Sequence, residues 1–135
     1  MSVPAALHRL VTERAGNCCE YCRMSQAFDP ATFEIDHIIP QKMDGETTEA
    51  NLALACFKCN NHKGPNIAAI DPATGEKVFL FDPRKSQWSD HFKWDGPFLE
   101  GITAEGRATV ALLQINDGHR VAHRQQLITE GVFDA

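Results

Sequence analysis

Apolar positions along the chain recur with two different periods. Leu7, Leu10 and Val11 fall at helical spacing, which predicts an amphipathic helix from about Val3 to Ala15. Pro4 suits its first turn and Gly16-Asn17 stops it. From Phe33 to Ile39 the residues are β-rich and partly alternate, which predicts a strand ended by Pro40. Asp44-Gly45 is a turn signal, after which a short second strand or an irregular loop returns the chain. Thr47 or Thr48 can cap a helical turn through Glu49, Ala50 and Asn51. The apolar run Leu52-Ala53-Leu54-Ala55 then leads to a helix over about Cys59 to Lys63, ended by Gly64-Pro65.

The texture changes after Gly64. Asp71-Pro72-Ala73-Thr74-Gly75 reads as a hairpin turn between Ile67–Ile70 and Val78–Phe81, and Asp82-Pro83 ends the second arm. Trp88, His91, Phe92 and Trp94 form an aromatic patch, which either stacks bases or fills a small satellite core, the latter favoured. Thr103 caps a helix carrying Val110, Leu112, Leu113 and Ile115, at some loss of stability from Gly106 inside it. After the break at Asn116-Asp117-Gly118, a last helix runs from about His119 to Thr129, stopped by Gly131, giving an antiparallel helical pair.

Length and composition place these elements in one domain over residues 1–135, with a core at about 17–65 and an extension at about 66–135. No apolar run is long enough to span a bilayer, and the N-terminus lacks the pattern of a signal peptide, so the expected location is cytoplasmic with no membrane partner. The formal net charge of −5 sits awkwardly with a nucleic-acid partner, because DNA-holding proteins usually present a basic face. Charge distribution matters more than its sum, and Lys58, Lys63, Arg84, Lys85 and Lys93 are candidates for a local basic cluster.

Four of the five cysteines form two Cys-x-x-Cys pairs, Cys19/Cys22 and Cys56/Cys59. Without a secretion signal, such pairs bind metal more often than they form disulfides. Together they supply the four soft ligands of a closed, structural zinc site. A thioredoxin-type redox pair is disfavoured by the second pair and the missing βαβ pattern. Cys18 reads as a small, partly buried thiol. A zinc ion with no open position is a staple and not a catalyst.

Between and after the knuckles stand Ile35-Asp36-His37-Ile38-Ile39-Pro40, then Asn51-Leu52, then Cys56-x-x-Cys59-Asn60-x-x-Lys63-Gly64. In order, spacing and residue type this closely resembles the HNH endonucleases, ββα-metal (His-Me finger) nucleases many of which carry flanking zinc knuckles. The resemblance implies an α+β fold with a ββα-metal core and a structural zinc site, joined here to an N-terminal helix and a C-terminal hairpin and helical pair. It also implies DNA as partner, with products bearing 5′-phosphate and 3′-hydroxyl ends. By the same resemblance His37 is the general base, Asn51 orients it, and Asp36 and Asn60 hold the catalytic divalent cation, Mg²⁺ or another. Asn60 stands where the name-giving motif has its last His, and an amide oxygen suits Mg²⁺ better than an imidazole does. His62 is an alternative ligand, but two positions along a helix point to nearly opposite faces. Lys63, with His62, is a candidate for substrate phosphate; a solvated lysine beside the helix dipole is the plainer reading of Lys63.

The runner-up reading is a non-catalytic zinc-stabilised module that binds nucleic acid or a protein, which the acidic net charge suits slightly better. A redox or metal-storage protein is supported by nothing beyond the cysteines.

Overall fold

The computed structural model describes residues 3–133. They divide into two compact units, one holding the chain up to Ile67 together with Asp82–Ser86, the other Ala68–Phe81 and the chain from Gln87 onward.

In the first unit, helix α1 (Ala5–Arg14) buries Val11 and ends where Gly16 and Asn17 both turn left-handed, at φ 64° and 59°. Its final side chain, Arg14, donates to the carbonyls of Glu49 (2.8 Å) and Leu52 (2.7 Å). Strand β1 (Glu34–His37) pairs antiparallel with β2 (Leu52–Ala55), with Glu34 opposite Ala55 and His37 opposite Leu52. All four β2 residues are buried, as an unbroken apolar run requires. Helix α2 (Phe57–Lys63) follows at once and packs on β1, completing a strand–strand–helix unit.

Two boundaries depart from the sequence expectation. Helix α2 begins at Phe57, before Cys59, because the Cys56 sulfur accepts the Cys59 amide (3.4 Å) and so caps the helix earlier. Strand β1 is shorter than Phe33–Ile39, because beyond His37 the backbone bonds to Asn51 instead of to β2. The chain between β1 and β2 is an irregular loop with a 3₁₀ turn at Gln41–Met43 and Asp44 at φ 64°. A second 3₁₀ turn, Glu49–Asn51, forms where a helical turn is predicted, but Thr48 precedes it without a side-chain cap.

Two hairpins organise the second unit. Strands β3 (Ala68–Ile70) and β4 (Lys77–Phe79) flank the predicted turn. In that turn Asp71 accepts the Ala73 amide and the Thr74 hydroxyl, and takes a bidentate pair from Arg107 at 2.9 and 2.8 Å. Strands β5 (Phe92–Asp95) and β6 (Phe98–Gly101) form a hairpin that the aromatic patch had concealed. Trp88 lies 5.2 Å from Phe92 and 5.9 Å from Trp94 between ring centroids, and Phe81 meets Phe92 edge-on at 5.2 Å. These rings therefore pack against one another, as the satellite-core reading expects.

Helix α3 (Ala104–Leu112) is capped by the Thr103 hydroxyl and lies against β6, β3 and β4. Gly106 is explained by close approach: a Cβ there would sit 2.2 Å from the His91 carbonyl oxygen. Helix α4 (Gly118–Thr129) starts under an Asp117 cap and buries Arg120 and Arg124. Arg124 donates to the carbonyls of Pro97 (2.7 Å) and Ile115 (2.9 Å) and lies over the Trp94 ring.

The architecture is α+β, with three two-stranded sheets and four α-helices among the described residues. No helix among them is long and apolar enough to cross a membrane.

Candidate active site

The two Cys-x-x-Cys pairs converge. Cys19, Cys22, Cys56 and Cys59 are buried, and their sulfurs all lie within 4.8 Å of one another. Four sulfurs about 2.3 Å from a tetrahedral zinc ion would be about 3.8 Å apart, and the Cys22 and Cys56 sulfurs stand 3.8 Å apart. Within each pair the later amide donates to the first sulfur, Cys22 to Cys19 (3.5 Å) and Cys59 to Cys56 (3.4 Å). Burial pushes the Cys19 and Cys59 thiols well up, whereas hydrogen bonding from Cys19 draws Cys56 down. Deprotonated sulfurs packed so closely need a cation, and the set fits a closed structural zinc ion.

His37 closes β1, half-buried. Its Nε2 lies 2.9 Å from the Thr47 hydroxyl, which also accepts from Gln41 at 3.4 Å. With Nε2 engaged in this way, Nδ1 has no protein hydrogen-bond partner among the described residues. An imidazole pinned through one nitrogen keeps the lone pair of the other for a proton. Thr47, read from sequence as a possible helix cap, is the residue that orients the ring.

Asn51 acts on backbone. Its amide oxygen accepts the Ile39 amide (2.9 Å), and its amide nitrogen donates to the carbonyls of Ile39 (3.0 Å) and Glu46 (2.8 Å). The Asn51 carbonyl also accepts the Ile38 amide at 2.9 Å. The strand end beyond His37 is thus fastened to the start of β2.

Asp36 points the other way, as alternation along a strand demands. Its carboxylate, 4% exposed, accepts the Tyr21 hydroxyl at 2.7 Å and pairs with the Lys63 ammonium at 3.2 Å. Burial pushes the Asp36 carboxyl above its ordinary value, and the Lys63 charge and the Tyr21 hydrogen bond pull against that. Lys63 is 1% exposed and also reaches the carbonyls of His37 (3.4 Å) and Ile38 (3.2 Å). This corrects both sequence readings of Lys63: an ammonium held inside the strand–helix unit meets neither a phosphate nor solvent. His62, beside it on α2, is half-buried.

Asn60 is half-buried, and its amide nitrogen donates to Glu34 at 3.2 Å. The divalent cation that the resemblance implies does not fit Asp36 and Asn60 as they stand. Asp36 is sealed, both its oxygens are engaged, and a cationic ammonium already neutralises it.

The expected basic cluster also divides. Lys63 is buried, Arg84 is ion-paired with Glu20, and Lys93 faces Glu100 at 3.8 Å, leaving Lys58 and Lys85 exposed and without an ion pair among the described residues. Glu20 additionally accepts the Leu54 amide at 2.8 Å, tying the first knuckle to β2. Nothing in the sequence named a partner for Glu20, Tyr21 or Glu34, and it pointed to Thr47 only as a possible cap. The first two occupy the x positions of Cys-x-x-Cys, where spacing carries no sign of a partner far along the chain.

Three comparisons bear on this site. Residues 19–66 match the family model of the HNH endonuclease. The chain is similar to the Septu protein PtuB of Bacillus thuringiensis, 25% identical over 118 residues that make up 86% of this chain and 43% of that relative. It thus spans less than half the length of the curated relative it matches. No solved structure matches the chain. The family match falls on the stretch whose motif order carries the resemblance, from the first knuckle to just beyond α2, so over residues 19–66 the chain is similar to HNH endonucleases.

Proposed function

We propose that this chain is a DNA endonuclease of the HNH type, hydrolysing phosphodiester bonds with His37 as general base. The observation that carries the reading is the His37 imidazole at the end of β1, held through Nε2 by Thr47 with Nδ1 available. A water beside Nδ1 loses its proton to the neutral imidazole as its oxygen bonds phosphorus. The bond from phosphorus to the 3′-oxygen breaks, and that oxygen leaves with a proton from solvent as the 3′-hydroxyl, the phosphate staying on the 5′ side. Asn51 keeps the strand end in register, and Thr47 sets the ring. The divalent cation that HNH nucleases generally use would stabilise charge on the phosphoryl oxygens. No step here passes through it, because Asp36 is closed to it in this arrangement.

The test is nicking of supercoiled plasmid by the zinc-loaded protein, with and without Mg²⁺ or Mn²⁺. Removing a general base costs about 10²–10⁴-fold in rate, so His37→Ala should leave at most a trace of cleavage. Cleavage at the parental rate in His37→Ala would sink the assignment. The second reading, a non-catalytic zinc module, is favoured by the net charge of −5 and by the engagement of Lys63 and Arg84 in ion pairs. It expects DNA or protein binding with no cutting under either metal.

A further inference from the structure

Lys63 stands in the last turn of α2, yet its side chain runs inward and is almost wholly buried. Four oxygens surround the ammonium: Asp36 Oδ1 at 3.3 Å, Asp36 Oδ2 at 3.2 Å, His37 O at 3.4 Å and Ile38 O at 3.2 Å. The cage supplies one full negative charge and two carbonyl dipoles, which matches one ammonium with three N–H donors. The Tyr21 hydroxyl donates to the same carboxylate, at Oδ2.

We propose that Lys63 is the resident cation of this site, and that the Asp36–Lys63 pair positions His37 where the motif leads one to expect a divalent-cation ligand. In naming His37 as the group served, the proposal rests on the nuclease reading. A divalent cation on Asp36 would put two positive centres on one carboxylate, and Mg²⁺ further demands oxygens at about 2.0–2.1 Å in octahedral array. Displacing Lys63 would strand its charge in a buried place. The two carbonyls it holds belong to the peptide groups on either side of Ile38, while Asn51 claims the Ile38 amide and both backbone groups of Ile39. The strand end is therefore fixed from two sides, by a buried cation and by an amide clamp, and His37 is set in the direction of Thr47. Lys63 is a positioning residue that acts through the His37 backbone.

Two readouts that need no DNA decide this. In the zinc-loaded wild type, excess Mn²⁺ should leave the amide resonances of Tyr21 and Asp36 unbroadened. Broadening there that disappears in Asp36→Asn overturns the proposal. In Lys63→Met, the imidazole nitrogen shifts of His37 should move while the knuckle amides hold theirs, and Lys63→Arg should return part of the change. An Asp36→Asn/Lys63→Met protein, which removes the stranded charge, serves if the single variant does not fold. Unmoved His37 shifts in a folded variant lacking the ammonium overturn the positioning role. In a cleavage assay the same variant should lose about 100-fold in kcat with KM little changed, as misplacement of a reacting group does. A wild type that never cuts would remove the nuclease reading and leave the spectroscopic result standing by itself.

Discussion

The Tyr21 hydroxyl, in the middle of the first Cys-x-x-Cys, donates a 2.7 Å hydrogen bond to Asp36 Oδ2 on β1. Burial, then the neighbouring Asp36 charge, pushes the phenol well above its ordinary range, so it remains a donor at any pH at which the protein is used. This bond couples the zinc knuckle to the strand that carries His37. Tyr21→Phe leaves a buried carboxylate oxygen with one partner fewer, which costs about 1–3 kcal/mol. Urea unfolding of the zinc-loaded variant should show that loss, and an unshifted midpoint would mean that the bond contributes nothing net.

Zinc removal should reach the site from the other side as well. Cys59 is fully buried among the four sulfurs, and the next residue is Asn60, whose amide bonds Glu34 on β1. Cys59→Ser should lower zinc content, reduce helical circular dichroism and abolish plasmid nicking together. A zinc-free Cys59→Ser protein that cuts at the normal rate would refute the coupling.

Gly45 is the tightest point of the loop beyond His37. A Cβ there would lie 1.7 Å from the Ile39 carbonyl oxygen, the group that also accepts from Asn51. Gly45→Ala must therefore push Ile39 off its clamp, and overpacking of this kind costs about 1–3 kcal/mol. The expected result is a folded, zinc-loaded protein with slower nicking than wild type, read by circular dichroism, zinc content and rate. Wild-type nicking would show that the clamp does not set His37.

In the second unit, Arg107 beside Asp71 holds that carboxyl down at about 2, against an ordinary value of 3.8. A carboxylate whose value is depressed by folding contributes stability that is complete above its unfolded value and fades as pH falls through the folded one. Stability of this unit should therefore decline between about pH 4 and pH 2. Asp71→Asn should flatten that part of the profile, as followed by tryptophan fluorescence from Trp88 and Trp94. A parental acid slope in Asp71→Asn would assign the effect to other groups.

How much was legible beforehand differs from residue to residue. The Cys-x-x-Cys spacings, the strand before Pro40, the Asp71–Gly75 turn and the Thr103 cap were readable because each is set by neighbours within a few positions. The β5–β6 hairpin was missed because its aromatic residues pack equally well in other local conformations. Asp36 and Lys63 were both singled out, yet in other roles. Their pairing joins positions 27 apart in the chain, and only the packing of α2 on β1 makes it.

The sequence by itself determined the strand–strand–helix order, the two knuckles and the place of His37 on the first strand, because spacing and turn chemistry act locally. Tertiary structure alone decided what each charge faces. It buried Lys63 against Asp36, gave Arg84 to Glu20 and set Thr47 on His37. A charge taken out of water must find its opposite, and which opposite is in reach depends on how the elements pack.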